Sequence, residues 1–387
     1  MDTTDFNLLP EGLEDKLPRA AAAATRATRA MMDVLDAHGY ARVQPPMIEF
    51  EQSLASRMAG IGQSHGARRM FRFVDPASLR TLALRSDITP QLGRLAATRL
   101  AGASRPLRLC YAGQVLTIKG AGGGGGLDPT RERLQLGAEL IGNDSVAAAA
   151  ELVAVAIEAL AQAGATGISV DFTLPDLVDA LSSGPLPLAE AQIDAVRREL
   201  DAKDAGALVS AGGEAYLPLL YATGPFDSAI ARLEAFAASF PASQHILAAR
   251  IAALREIAAR VGTAARLTLD PTERHGFEYQ SWFGFTLYAD GVRGAVGRGG
   301  TYAILGKQPG SSEPATGFSL YPDPLIDALS AAEPAREALF LPLGHDSAAA
   351  AQLRALGWRT VAALSPADAP VALGCTHILK DGAALPL

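Results

Sequence analysis

Cysteine is nearly absent from this chain: Cys110 and Cys375 stand alone among 387 residues. Two thiols so far apart imply neither a disulfide framework nor a cysteine-rich zinc cluster. The six histidines are scattered and show no metal-ligand spacing. Long apolar runs are missing too, because the alanine-rich segments are interrupted by Glu, Arg or Gly, and none is long enough to cross a bilayer. The opening residues, MDTTDFNLLPEG, are polar and acidic, unlike a secretory leader. These absences predict a soluble, cytoplasmic protein with no metal, no cofactor and no membrane partner. Positive charge is short as well. Lys and Arg number 34 against 41 Asp and Glu, a formal net charge of −7. An acidic chain is a poor electrostatic partner for a polyanion, so nucleic acid is not the expected ligand.

What is present is ample apolar material, 49% of the residues, enough for a large core in two or three domains. Residues 13–38 read as a helix, with Ala24, Ala27, Met31, Val34 and Leu35 near one face and His38-Gly39 as its stop. The segment ARVQPPMIEFEQSL follows, where Pro45-Pro46 demotes a strand to an edge. Residues 70–85 read as a hairpin turning at Asp75-Pro76, and a helix begins near Ser86 to Pro90. Arg108 to Gly142 reads as strand, glycine-rich loop, strand. The second strand carries Arg131, Arg133, Gln135 and Glu139 between Leu134, Leu136 and Leu140, the pattern of a half-buried strand. Val146 to Ala163 is helical and Ile168 to Leu174 a strand. Residues 175–262 show helical spacing almost throughout. Strands resume at Arg266 to Asp270, Trp282 to Ala289 and Val292 to Val296, before a helix at Asp323 to Ser330. Past Glu333-Pro334, a strand, a helix and a second strand form a short βαβ unit, with residues 374–379 as a candidate third strand.

Gln135 and Glu139 are four apart on a strand, so their side chains point the same way. Asp87 and Thr89 add a second carboxylate and a hydroxyl. Two carboxylates with amide and hydroxyl groups suit a small cationic ligand such as an ammonium or an imidazole. Gly122 to Gly126 is not a phosphate loop, since no Lys-Ser or Lys-Thr follows; it reads as a flexible hairpin tip. Arg298-Gly299-Gly300 is a single RGG, not an RNA-binding repeat.

In combination, these blocks resemble the class II aminoacyl-tRNA synthetases, above all histidyl-tRNA synthetase. The helix with PPMIEFE resembles motif 1, the family's dimer element. The segment RLCYAGQVLTIKGAGGGGGLDPTRERLQLGAELIG resembles the motif 2 hairpin. The block DPTERHGFEYQSWFGFTLYA resembles the histidine-specific loop, and GRGGTYAILGKQPGSSEPATGFSLYPDPL resembles the glycine-rich strand with motif 3. The resemblance implies an α+β fold: a class II synthetase-like antiparallel sheet flanked by helices, with a helical insertion and a small C-terminal α/β unit. The core is expected over 1–174 and 263–330, the insertion over 175–262, and a reduced anticodon-binding-like unit over 335–387. It also implies a histidine pocket of Asp87, Thr89, Gln135, Glu139, Glu278, Tyr279 and Tyr302, with Asp87 in place of a family glutamate and Gln280 in place of the second tyrosine.

The nucleotide side departs from the synthetase pattern. The arginine that grips the nucleotide is Thr117, the catalytic arginine is His275, and the arginine that stacks on adenine is Pro324. Arg131 remains as a possible anion or nucleotide contact. A charge-assisted hydrogen bond contributes on the order of 1.5–3 kcal/mol. Losing two would weaken ATP or the transition state by roughly two to four orders of magnitude. A kept amino-acid side beside a lost nucleotide side resembles the ATP phosphoribosyltransferase regulatory subunits, which are synthetase paralogues. That resemblance implies a non-catalytic subunit, homodimeric through the motif 1-like helix. Its implied partner is the short-form catalytic phosphoribosyltransferase of histidine biosynthesis, and its effector L-histidine. A divergent histidyl-tRNA synthetase and a histidine-binding scaffold with another partner are the alternatives. The three lost arginines predict no histidine-dependent ATP–pyrophosphate exchange from the purified protein; a clear exchange signal would restore the synthetase reading.

Overall fold

An amphipathic helix, α1 (Pro18–Ala37), is the first regular element in the computed structural model, which describes residues 8–55, 70–118, 130–240, 244–274, 280–306, 310–332 and 337–387. It starts at Pro18 rather than near residue 13. Proline is pre-organised for a first helical position and holds the residue before it, Leu17, extended. Its inner face buries Ala23, Ala27, Met31, Val34 and Leu35. Next come β1 (Ala41–Arg42), β2 (Ile48–Phe50), α2 (Glu51–Ala55), the hairpin β3 (Arg72–Val74) and β4 (Thr81–Leu84), and α3 (Thr89–Ala97). The long strands β5 (Leu107–Leu116) and β6 (Glu132–Ile141) lead to α4 (Val146–Gln162) and β7 (Ser169–Thr173). The helical stretch holds α5 (Leu177–Ser182), α6 (Glu190–Ala202), α7 (Ala205–Ser210) and α8 (Leu217–Tyr221). The two-residue β8 (Gly224–Pro225), α9 (Phe226–Ser239) and α10 (Gln244–Val261) complete it. The strands β9 (Arg266–Leu269), β10 (Gln280–Tyr288), β11 (Gly297–Leu305) and β12 (Ser312–Leu320) then precede α11 (Asp323–Ala332).

The expected α+β architecture is what the chain adopts. Nine strands form one sheet in the order β1-β5-β6-β12-β11-β10-β7-β9-β8, and β2-β4-β3 form a small sheet of their own. In the large sheet β1 runs parallel to β5 and β7 to β9; the other neighbours are antiparallel. A parallel pair needs a crossover, and α5 to α10 supply it between β7 and β9. Those helices bury their apolar faces in the main core, where the Phe172 ring lies 5.9 Å from Phe226 and 5.4 Å from Phe283. Helix α4 is apolar nearly all round, as a helix enclosed by its neighbours must be. It packs against the sheet and is flanked by α1 and α10.

Two expectations need correction here. First, β6 is not half-buried: every residue from Leu134 to Ile141 is buried. Leu134, Leu136, Ala138 and Leu140 enter the main core, while Gln135, Gly137, Glu139 and Ile141 point to the other face, where α3 packs. Second, the strand expected at Val292 to Val296 lies further on, as β11. Glycine weakens a strand by itself, but here neighbours demand it. A Cβ on Gly299 would sit 2.5 Å from the Phe285 ring and 2.6 Å from the Gly317 carbonyl oxygen.

The chain forms two compact units, Met1–Ser330 and Ala331–Leu387. In the second, β13 (Ala338–Leu341), α12 (Ser347–Ala355), β14 (Arg359–Ala362), β15 (His377–Lys380) and β16 (Ala383–Pro386) build a sheet in the order β14-β13-β15-β16. Strand β13 is parallel to both β14 and β15, so the βαβ pair extends to a third strand; an unexpected fourth, β16, turns back antiparallel. Asp381 and Gly382, with φ of 50° and 78°, make the tight turn that permits it. Among the described residues no helix is long and apolar enough to cross a membrane.

Phe172 is 0% exposed between two other rings. Phe172→Ala should therefore lower unfolding free energy by about 3–5 kcal/mol, read from the urea midpoint at constant slope; a loss under 1 kcal/mol would mean that this aromatic centre is not the core.

Candidate functional site

The site is built where α3 begins against the middle of β6. Helix α3 starts at the Asp87-Ile88-Thr89 corner, with the Thr89 backbone N–H donating to Asp87 Oδ1 at 3.0 Å. The Ile88 N–H donates to Gln135 Oε1 at 2.8 Å, which pins the helix start to the strand. Gln135 Nε2 donates in turn to Asp87 Oδ1 at 2.7 Å and to Ser319 Oγ at 2.8 Å. Glu139 accepts from Thr89 Oγ1 at 2.9 Å, from the Tyr111 hydroxyl at 3.4 Å and from the Tyr302 hydroxyl. Tyr111 OH also lies 2.9 Å from Ser319 Oγ. Gln135 is 0% exposed and Glu139 1%, so this is an enclosed polar cluster rather than a solvated strand end.

Glycines make the space for it. Gly317 lies opposite Glu139 in the sheet, and a Cβ there would come 1.5 Å from Glu139 Oε2. Gly137 sits between Tyr111 and Ser319 on the neighbouring strands, and its added Cβ would meet the Phe318 carbonyl oxygen at 2.1 Å. The α3 side is braced from below. Arg85, 6% exposed, donates to the Gln114 and Pro45 carbonyls, while Gln91 and Arg94 on α3 both bond Glu49 on β2.

The electrostatics are unusual. The hydrogen-bond donors to Asp87 and Glu139 are the Gln135 amide, the Thr89 backbone and the hydroxyls of Thr89, Tyr111 and Tyr302. Burial pushes the Glu139 carboxyl up to about 8, against the opposing hydrogen bonds from Tyr302 and Thr89. Burial likewise raises Asp87, opposed by Gln135 and the Thr89 backbone. Tyr111 is driven well above the ordinary phenol range, first by burial and then by the charge of Glu139. Two carboxyls among neutral donors can hold a small cation, or a proton in its place.

Of the residues singled out from sequence, Asp87, Thr89, Gln135, Glu139 and Tyr302 come together here. Glu278, Tyr279 and His275 lie outside the described residues, as does the Gly122 to Gly126 loop. Arg131 is not part of the cluster. It sits just before β6, its guanidinium 4.0 Å from Glu11 and its backbone N–H bonded to the Gly12 carbonyl. Thr117 is 4% exposed, and its hydroxyl finds no hydrogen-bond partner among the described residues. Pro324 is the second residue of α11, a place where proline's missing N–H costs nothing. Its neighbour Asp323 accepts from the Leu134 N–H at 2.7 Å and pairs with Lys16. Tyr111 and Ser319 escaped the sequence reading; only the strand register, which sets both beside Gly137, reveals them. On the opposite side of β5 and β6, a groove of ≈ 550 Å³ runs along α1 between Thr28, Met32, Arg42 and Gln114.

The chain is similar to known proteins over nearly its whole length. The histidyl-tRNA synthetase family model matches residues 12–325. The ATP phosphoribosyltransferase regulatory subunit of Rhodospirillum centenum is 41% identical over 97% of this chain and 95% of its own length. That of Paramagnetospirillum magneticum is also 41% identical, over 97% of each chain. In fold, the chain is similar to an ATP phosphoribosyltransferase regulatory subunit/histidyl-tRNA synthetase from Bacillus halodurans (TM-score 0.78, 23% identity, 97% of each chain covered). It is also similar to histidyl-tRNA synthetase from a Nostoc species (TM-score 0.76, 17% identity, 96% of this chain and 90% of that one).

A carboxyl held above its ordinary value binds more protons in the folded than in the unfolded state. Its stabilising contribution is thus complete below about 4.5 and is lost as pH rises towards about 8. Between those limits the loss is at most about 1.4 kcal/mol per pH unit. The melting temperature of the ligand-free protein should fall from pH about 5.5 to about 8.5 more steeply than that of Glu139→Gln; parallel curves would remove Glu139 as the titrating group.

Proposed function

This chain belongs to the ATP phosphoribosyltransferase regulatory subunits, a branch of the histidyl-tRNA synthetase family, and from that premise we propose that it is a non-catalytic subunit whose pocket senses L-histidine. It activates a separate short-form catalytic phosphoribosyltransferase in the cytoplasm, at the first step of histidine biosynthesis. Histidine bound at Asp87, Thr89, Gln135, Glu139 and Tyr302 then restrains that activity. Asp87, Thr89 and Gln135 face the α-ammonium and Glu139 the imidazole side; Glu278 and Tyr279, the other two residues assigned to this pocket from sequence, lie outside the described residues. Lying outside the cluster, Arg131 is at most a remnant anion contact.

The observation that carries this reading is an asymmetry. On the amino-acid side Asp87, Thr89, Gln135, Glu139 and Tyr302 share one hydrogen-bonded network, four of them buried, while Thr117 and Pro324 offer no charge where a nucleotide would need it. Burying the Glu139 carboxyl is unfavourable, so its presence supports a ligand that meets it. We further propose that two copies pair through α1. In support, an open groove runs beside that helix, lined by Thr28, Met32, Arg42 and Gln114.

Adding this protein to a purified short-form phosphoribosyltransferase should raise phosphoribosyl-ATP formation by at least tenfold, and histidine should reverse the gain. Glu139→Ala should keep the activation and raise the inhibitory histidine concentration by about tenfold, the equivalent of about 1.4 kcal/mol. Failure of the wild-type protein to activate at any ratio would sink the proposal.

A further inference from the structure

Resting on the histidine reading above, we propose that the Gln280 side-chain oxygen is the acceptor for a ring N–H of the bound ligand, and so decides which ring the pocket takes. Strand register puts Gln280 in the pocket. It stands opposite Tyr302 in the β10–β11 pair, and directly opposed residues share a face of the sheet. That face is the one from which the Tyr302 hydroxyl reaches Glu139. Gly300, two residues before Tyr302, belongs to the same face, and a Cβ there would come 2.3 Å from Gln280 Oε1.

Gly300 is paired in turn with Gly317, and Gly317 with Glu139, whose Oε2 fills the matching space over Gly317. Neighbouring strands lie about 4.8 Å apart. Glu139 therefore reaches in from β6 and Gln280 from β10, with their oxygens over two adjacent glycines. A side chain at either glycine would displace one of them.

The two oxygens differ in what they already hold. Glu139 accepts from the hydroxyls of Thr89, Tyr111 and Tyr302, and Gln135 Oε1 from the Ile88 N–H. Gln280 Oε1 is buried and has no hydrogen-bond partner among the described residues. The neighbouring hydroxyls of Ser281 and Thr301 bond each other, and Thr301 also bonds the Phe283 backbone. A carbonyl oxygen shut away from water is unfavourable until a donor reaches it. An amide oxygen only accepts, so the ligand must carry the donor in. An imidazole does so with a ring N–H. A ring of similar size with carbon or sulfur in that place leaves the oxygen unpaired, which is how a polar site rejects an analogue of nearly the same shape.

Calorimetric titration of the full chain with L-histidine and with thienylalanine, whose five-membered ring has no N–H, separates hydrogen bonding from shape. Gln280→Met keeps an unbranched side chain of similar length without the amide. It should bind histidine at least about tenfold more weakly, the equivalent of about 1.4 kcal/mol, and thienylalanine within about twofold of wild type. In wild-type protein carrying carbon-13 in its glutamines, the Gln280 side-chain carbonyl signal is assigned by its absence from Gln280→Met and from Gln280→Asn. That signal should move downfield when histidine is added and stay in place with thienylalanine. A histidine affinity of Gln280→Met within about twofold of wild type, an equal loss for both ligands, or an unmoved carbonyl signal would overturn the acceptor role while leaving histidine sensing intact. Absence of histidine binding to the wild-type protein would overturn both.

Discussion

Glu139 and Gln135 point into the protein from a strand that is buried on both faces, and most of the surrounding structure answers that single constraint. A carboxyl and an amide removed from water must find partners or destabilise the fold. The partners come from four directions: the start of α3, Tyr111 on β5, Ser319 on β12 and Tyr302 on β11. Space for them comes from Gly137 and Gly317, positions that no other residue could occupy without displacing the network. The glycines of the central strands are thus a consequence of the polar row, not a weakness in the sheet.

The same constraint separates the two halves of the resemblance to the synthetases. On the amino-acid side, Asp87, Thr89, Gln135, Glu139 and Tyr302 join one hydrogen-bonded cluster, whereas the Gln280 side-chain oxygen is buried with no hydrogen-bond partner among the described residues. On the nucleotide side, the replaced positions have been absorbed into ordinary structure. Pro324 is the second residue of a helix, its neighbour Asp323 caps the backbone of β6 at Leu134, and Thr117 is buried at the end of β5. A site that holds a small ligand without activating it is what a sensing subunit needs. The brace beneath α3 joins that site to the β2-β4-β3 sheet through Arg85, Gln91 and Glu49, so the pocket is not mechanically isolated.

Much of this was legible beforehand. The period of two along β6 put Gln135 and Glu139 on one side, and the Asp87-to-Thr89 segment at a helix start was readable from its polar residues and Pro90. The fourth strand of the C-terminal unit could have been found, because Asp381-Gly382 between two short apolar stretches is a hairpin signal. Strand β11 was harder. Local propensity opposes a run of glycines in a strand, and only the bulk of Phe285 across the sheet makes them favourable.

By itself the sequence determined the alternation, the helix starts and the chemical identity of the pocket residues, because these depend on neighbours within a few positions. Tertiary structure decided the rest. Which strand lies beside which brought Tyr111 and Ser319 to either side of Gly137, 26 residues after one and 182 before the other. Covering β6 on both faces turned a set of polar side chains into a buried carboxyl network with a raised Glu139. Burial and register are properties of the assembled sheet, since each is set by residues hundreds of positions apart in the chain.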